Sequence, residues 1–306
     1  MKIQIIIPVF NPDKKFKKLI ESLSKQTLKQ FSVLLIDSGS DTRYEDWLIG
    51  KDNIIIKKIA QWEFNHGGTR QLGVNLFPNN DIYVFFTQDA ILFNEDSLNN
   101  IIKVFLNNKV GCAFGRQIPH ENANFFAKVA RMINYKDISY VRDFNDRYKY
   151  GMKTVFISNS FAAYRREALI EIGGFPSNTI LGEDMWVAAN MVMQGWKIAY
   201  VAEAKVRHSH NYTIWQEFGR YFDIGVFHSR ERWIREKFGN AEGAGMEYVY
   251  SEIRNLFHQP LCNRIGLLVE MILRDTAKFI GYRLGIKERY IPMMFKKMIS
   301  MTKTYW

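Results

Sequence analysis

Asp89 closes the stretch Tyr83-Val84-Phe85-Phe86-Thr87-Gln88-Asp89-Ala90, in which apolar and aromatic residues run straight into a polar tip. A lone carboxylate at a strand end can ligate a divalent cation that in turn holds a phosphate. It can equally start a turn or cap the helix after Asn94. Asp37 ends another apolar run and leads into Ser38-Gly39-Ser40. Its carboxylate can accept from a ribose hydroxyl or a base N–H, or from its own backbone in an Asx turn. Asn65-His66-Gly67-Gly68-Thr69-Arg70 reads as a helix start. Free amides, the helix dipole and the donors of His66 and Arg70 suit a phosphate there, and a plain cap with a surface arginine is the alternative. The spacing is neither G-x-G-x-x-G nor a P-loop, which argues against a Rossmann dehydrogenase or a P-loop NTPase. Glu183-Asp184, with Trp186 close by, offers a general base with a pKa tuned by partial burial, or merely first-turn acids facing a helix dipole. In an extended His208-Ser209-His210 the two imidazoles face the same way and can join a carboxylate around a metal, provided Asp89 lies nearby.

These side chains need a frame that brings strand ends together. The β-branched run Ile3 to Val9 predicts a buried first strand, and Asn11-Pro12-Asp13 a turn. Apolar residues at Phe16, Leu19, Ile20 and Leu23 have helical spacing within 16–28. Strands are expected over 31–36, 54–56 and 82–86, with a helix over 69–77. This β-α-β-α-β rhythm predicts a parallel sheet with right-handed crossovers. In such sheets ligands sit beyond the carboxyl ends of the strands, so Asp37 and Asp89 project into one crevice. Further on, a helix is expected over 94–106 and a strand over 110–117. Residues 119–153 lack a clean period and read as a lid or acceptor loop with short helices. A strand over 155–164, a helix over 166–172 and a helix from Glu183 to Gln194 follow. Segments 196–201 and 204–207 look like paired strands.

The 306 residues carry a formal net charge of +11 and 15% aromatics. The surplus favours anionic partners: nucleic acid, an anionic membrane surface or phosphorylated substrates. Cys112 and Cys262 are far apart and no Cys/His metal spacing exists, a reduced, cytosolic pattern. The chain starts directly in a strand without a signal peptide, and no apolar run reaches the ~18 residues of a membrane span.

Taken in order, these stretches are similar to the inverting family 2 glycosyltransferases of the GT-A fold, and among them the bacterial rhamnosyltransferases. The resemblance rests on Ile7-Pro8-Val9-Phe10-Asn11, Ile36-Asp37-Ser38-Gly39-Ser40, Phe64-Asn65-His66-Gly67-Gly68-Thr69-Arg70, Phe86-Thr87-Gln88-Asp89-Ala90, Gly182-Glu183-Asp184 and Val206-Arg207-His208-Ser209-His210-Asn211-Tyr212. It covers residues 1–230. It implies an α/β, Rossmann-like, mostly parallel sheet flanked by helices, with a helical, basic C-terminal extension over 231–306. Residues 1–117 would be the nucleotide-binding half and 118–230 the acceptor and catalytic half. Pro8, Phe10, Asp37, Ser38, His66, Arg70, Gln88 and Asp89 would bind the nucleotide sugar. Asp89 and His208 would hold Mg²⁺ or Mn²⁺. Asp184 would be the catalytic base, with Glu183 the second candidate. Thr87 stands where the family's Asp-x-Asp has its first acid. The Gln-x-x-Arg-Trp of processive members is absent, with Gln216 and Arg220-Tyr221 a loose echo at other spacing, which implies single additions.

The implied activity moves L-rhamnose from dTDP-β-L-rhamnose, with inversion, to a hydroxyl of a polyprenyl-diphosphate-linked glycan in bacterial surface polysaccharide synthesis. A UDP-hexose or UDP-N-acetylhexosamine donor on the same fold is the nearest alternative. A basic nucleic-acid-binding protein is a different class, disfavoured because no such motif occurs and the acids sit at strand ends. A catalytically dead sugar-binding scaffold is disfavoured by the intact Asp89, Asp184 and His208. Over 265–284 apolar residues are interrupted by Glu270, Arg274, Asp275 and Lys278. Lys287, Arg289, Lys296, Lys297 and Lys303 follow among aromatics and methionines. This suits an interfacial helix on an anionic leaflet, or a helical domain packed on the core. The expected location is the cytoplasmic face of the cell membrane, held peripherally.

Overall fold

The computed structural model describes residues 1–239 and 242–306. Strands β1 (Ile3–Val9), β2 (Ser32–Asp37), β3 (Ile54–Lys58) and β4 (Ile82–Phe86) pair in parallel in the order β3-β2-β1-β4. The sheet continues through β8 (Phe161–Arg165), β6 (Val110–Ile118), β9 (Lys197–Arg207) and the short β5 (Ile91–Leu92), and β7 (Tyr140–Arg142) pairs with β9. This second half is mixed: β8 runs antiparallel to both β4 and β6, while β6 and β9 are parallel. The parallel expectation therefore holds for the first four strands and stops at β8.

Alternation along each strand sorts its side chains to two opposite faces. Ile6, Leu34, Ile36 and Phe85 join one buried cluster, while Ile5, Ile7, Val33, Leu35, Val84 and Phe86 join the other. Both faces are covered by helices: α1 (Lys14–Ser24), α2 (His66–Leu76), α3 (Ser97–Lys103), α4 (Phe125–Asn134), the single turn α5 (Arg147–Tyr150), α6 (Arg166–Glu171) and α7 (Glu183–Met193). Helix α1 begins where the Asp13 carboxylate accepts from Lys15 N, and it buries Phe16, Leu19, Ile20 and Leu23.

Three sequence expectations are corrected. Residues 119–153 are not a loop with short helices alone. Asn124 caps α4, which buries Phe126, Ala127, Val129 and Ile133, and β7 adds a strand to the sheet. The strand expected over 155–164 begins only at Phe161, opposite Phe86. Before it, Ser158, Asn159 and Ser160 leave the ladder to bond side chains described below. The paired strands over 196–207 are one strand, β9. Its register against β6 shifts between Gly115 and Arg116, so the break in the apolar pattern is a bulge rather than a turn.

Beyond residue 213 the chain is helical: α8 (Ile214–Arg230), α9 (Arg232–Phe238), α10 (Glu242–Phe257), α11 (Leu261–Ile286) and α12 (Met293–Ile299). Helices α8 and α11 pack backbone to backbone. A Cβ on Gly285 would lie 2.1 Å from Phe222 O, and one on Gly225 would lie 2.4 Å from Tyr282 O. Among the described residues no helix is long and apolar enough to cross a membrane.

Candidate active site

The loop after β4 presents Asp89. It is braced by Gln88, whose side chain accepts from Phe10 N (2.9 Å) and donates to Phe10 O (3.0 Å). Asp89 Oδ1 lies 3.4 Å from His208 Nε2, and Oδ2 lies 3.9 Å from His210 Nδ1. Ligand atoms of the three residues fall within 4.8 Å of one another. Burial favours the neutral acid, but the two imidazoles beside it, whenever they carry a proton, outweigh that and hold Asp89 well below the usual carboxylate range. Burial lowers the pKa of His208, and burial with the neighbouring His208 pushes His210 down to about 3.

The tautomer of His208 follows from its other nitrogen. Nδ1 lies 2.9 Å from Gln117 Oε1, while the Gln117 amide nitrogen donates to Ser158 Oγ at 2.9 Å. That orientation makes Gln117 an acceptor, so Nδ1 carries the proton and Nε2 presents a lone pair to the Asp89 carboxylate. Two acceptors face each other at 3.4 Å, with the Ser160 hydroxyl 3.5 Å from Nε2. Asp89, His208 and His210 would hold a divalent cation, whose charge would relieve this opposition, and one carboxylate with two imidazoles suits Mn²⁺ or a similar ion. Gln117→Ala is expected to weaken Mn²⁺ affinity by about 10–100-fold, read by calorimetric titration in the presence of nucleotide. Unchanged affinity would show that Gln117 does not orient a ligand.

Across the cavity, α7 starts at Gly182, whose φ of +74° suits glycine. Its first two side chains have separate environments. Glu183 is buried, 3.1 Å from Arg70 Nη1, and accepts from Asn159 Nδ2 at 2.9 Å. Burial opposes its charge, but Arg70, His66 and Asn159 keep it ionised. Among the described residues no salt bridge reaches Asp184, and Arg70 acts on it only as the last of several influences. Among the described residues it accepts from the amides of Asn159 (3.2 Å) and Met185 (2.8 Å). Burial, reinforced by the Glu183 charge, pushes it up to about 7. A half-buried carboxylate poised near neutrality is what a general base requires. Arg70 also donates to His66 O, so its guanidinium serves Glu183 and the helix start. Burial lowers the pKa of His66, with Glu183 opposing.

Around one cavity of about 680 Å³ the structure gathers His66, Arg70, Thr87, Glu183, Asp184, His208 and His210. Pro8, Phe10, Asp37 and Ser38 do not line it; they occupy the ends of β1 and β2. Asp37 accepts from Ser40 N and from Tyr44 OH, each at 2.9 Å, so it does form a local turn. Ser38 Oγ donates to Val9 O at 3.2 Å, and the Phe10 side chain stays exposed.

Sequence reasoning missed several residues. Gln117 ended a strand and carried no motif. Asn159 and Ser160 were hidden inside an overlong predicted strand. Arg220, set aside as an echo at the wrong spacing, lines the cavity from α8, and its charge adds slightly to the burial that lowers the pKa values of His66, His208 and His210. Their common signal was a polar side chain in an apolar context.

Residues 88–284 match the family described as "Glycosyl transferase family group 2". The chain is 44% identical over 306 residues to the O-antigen chain rhamnosyltransferase RfbN of Salmonella typhimurium, covering 100% of this chain and 96% of that protein. It is 44% identical to the O-antigen chain rhamnosyltransferase WbaN of Salmonella anatum, covering 99% and 95%. Among solved structures, the mannosyltransferase PcManGT of Pyrobaculum calidifontis with GDP-Man and Mn²⁺ superposes with a TM-score of 0.65 at 14% identity, over 94% of this chain and 88% of that one. S. aureus TarS in complex with UDP gives 0.56 at 13% identity, over 94% and 91%. The fold is of the GT-A type.

Proposed function

Because the chain belongs to glycosyl transferase family group 2, we propose that it is an inverting rhamnosyltransferase drawing on dTDP-β-L-rhamnose. The acceptor is a hydroxyl of a lipid-linked glycan of the bacterial surface. The observation that carries the mechanism is the contrast within Glu183-Asp184: one acid is locked to Arg70, the other is left basic at the cavity. Asp184 takes the proton of the acceptor hydroxyl. The freed oxygen attacks the anomeric carbon opposite the leaving group. The bond from that carbon to the diphosphate oxygen breaks, dTDP keeps the electron pair, and the product is an α-L-rhamnoside. A cation held by Asp89, His208 and His210 would neutralise charge on the departing diphosphate. Arg220 adds a fixed positive charge to the same cavity.

The rhamnose donor is supported by the names of the two relatives; a UDP-sugar donor remains the alternative to exclude. The experiment is nucleotide release from a panel of sugar nucleotides with and without Mn²⁺. Release from dTDP-rhamnose is expected. Release from UDP-sugars alone sinks the rhamnosyl reading.

We assign residues 1–230 to the glycosyltransferase domain and propose that the helical remainder, which also lines the cavity through Tyr248, Arg274 and Lys278, touches the membrane on the cytoplasmic side. Beyond residue 250 every carboxylate faces a cation: Glu252 and Asp275 face Lys278, Glu270 faces Arg274, and Glu288 faces Arg230 and Lys296. The exposed charges there are Arg254, Arg283, Lys287, Arg289, Lys297 and Lys303, all positive. They accompany exposed Leu261, Ile265, Val269, Phe279, Met294 and Met298. Apolar side chains among exposed cations suit an anionic leaflet.

A further inference from the structure

The helix that carries Asp184 starts from a loop, 175–182, with few polar attachments of its own. At its beginning Phe175 N donates to Gln71 Oε1 at 2.8 Å. Pro176 then presses on the start of α2, where a Cβ on Gly67 would lie 1.8 Å from Pro176 O. Thr179 and Ile180 are buried. Among the described residues, one hydrogen bond reaches the main chain of 176–181: the Tyr305 hydroxyl donates to Asn178 O at 3.3 Å. Segments with so few hydrogen bonds open at low cost, so the loss of a single one is felt there.

Tyr305 belongs to the segment 300–306 that follows α12, and this segment is fastened to α8 at both ends. Near its start, Asp223 Oδ2 accepts from Met301 N (3.0 Å), Thr302 N (3.1 Å) and Thr302 Oγ1 (3.2 Å). Near its end, Arg230 Nη1 donates to the Tyr305 hydroxyl at 2.6 Å, while Arg230 Nε donates to Glu288 at 3.2 Å. The guanidinium also lies 5.1 Å from the centre of the Tyr305 ring and 5.2 Å from that of Trp306. The hydroxyl thus accepts from a fixed cation and donates its own proton to Asn178 O. Helix α8 closes the circuit, because a Cβ on Gly182 would lie 3.0 Å from the Phe227 ring. Asp223, Phe227, Met301 and Thr302 line the same cavity as Asp184.

We propose that Tyr305 is a positioning residue for the transfer reaction: by holding Asn178 it fixes the loop from which α7 starts, and with it the place of the Asp184 carboxylate. Tyr305 touches no reacting atom and acts through the loop alone. The proposal deepens the function above and rests on Asp184 as the base.

Tyr305→Phe in the full chain is the test, since it keeps the ring beside Arg230 and removes the hydroxyl. Amide exchange over 177–186, followed by mass spectrometry, needs no substrate. It should quicken about 2–10-fold, the worth of one hydrogen bond, with the thermal midpoint unchanged. Turnover of the sugar nucleotide that the wild type uses should fall about tenfold at saturation with the donor KM unchanged, short of the ~10²-fold that a 1 Å misplacement can cost. In an Asp184→Asn background the same substitution should cost little more, because the group it positions is already gone. Thr304→Ala, at an exposed neighbour, should change none of these readings. Unchanged exchange over 177–186 overturns the proposal, as does faster exchange with kcat unchanged. So does a full tenfold loss in the Asp184→Asn background, which would route the effect elsewhere. So does faster exchange throughout the chain or an equal effect of Thr304→Ala, either of which would make Tyr305 a general stabilising residue. A wild type inert toward every sugar nucleotide would sink the function above, whereas unchanged exchange in an active enzyme sinks this proposal alone.

Discussion

Asp184→Asn is expected to lower turnover by ~10²–10⁴-fold, the usual weight of a positioned general base, while dTDP-rhamnose binds nearly as before. Asparagine keeps the shape and can still accept from the amides of Asn159 and Met185. It cannot take a proton. Single-turnover rates with donor affinity measured in parallel separate the two effects, and near-normal turnover removes Asp184 as the base. In the wild type the rate should climb as pH passes upward through about 7, because the ionised carboxylate is the active form. Stability runs the other way. Raised above its unfolded value near 3.9, this carboxyl favours the folded state most at low pH, and that contribution is lost as pH rises from about 4 through about 7. At pH 8 the asparagine variant should thus be at least as stable as the wild type while being far less active, a combination that a misfolded variant cannot produce.

Arg70→Met carries the largest expected cost in stability. The Arg70–Glu183 pair is nearly sealed from water, with side-chain exposures of 5% and 7%. Removing the cation strands a buried carboxylate with the Asn159 Nδ2 donor and its own backbone amide. Losses of about 3–5 kcal/mol are typical of such breaks. Adding Glu183→Gln to Arg70→Met should restore much of it, because the stranded charge disappears with it. Urea unfolding of the two singles and the double measures this. A single-variant loss below about 1 kcal/mol, the range of exposed ion pairs, would mean that the pair is solvated in solution.

The strands that carry Asp37 and Asp89 were legible because both faces of those strands are apolar and their ends are polar. The metal side was half legible: the alternation in His208-Ser209-His210 announced two imidazoles on one side, but His210 entered the expected ligand set only once the fold placed it by Asp89. Arg70 was read as a phosphate donor from its position at a helix start, and its pairing with Glu183 carried no local signal. A guanidinium near such a start can turn outward to a ligand or inward to a buried acid, and only Glu183, more than a hundred residues away, decides which. Asn159 was illegible for the same reason. Its run of apolar neighbours mimics a strand, and the departure from the ladder is driven by two carboxylates on a distant helix. Period-2 patterns report burial; they do not report which buried residues have left the sheet to serve a polar partner.

The pair of hydrogen bonds by which Gln88 grips the main chain of Phe10 reaches further than local bracing. It ties the loop that ends β1 to the loop that carries Asp89. If a nucleotide binds against the first loop and a cation at Asp89, as proposed, their affinities would be coupled, and reciprocity would fix the size in both directions: the factor by which nucleotide tightens the cation would be the factor by which the cation tightens the nucleotide.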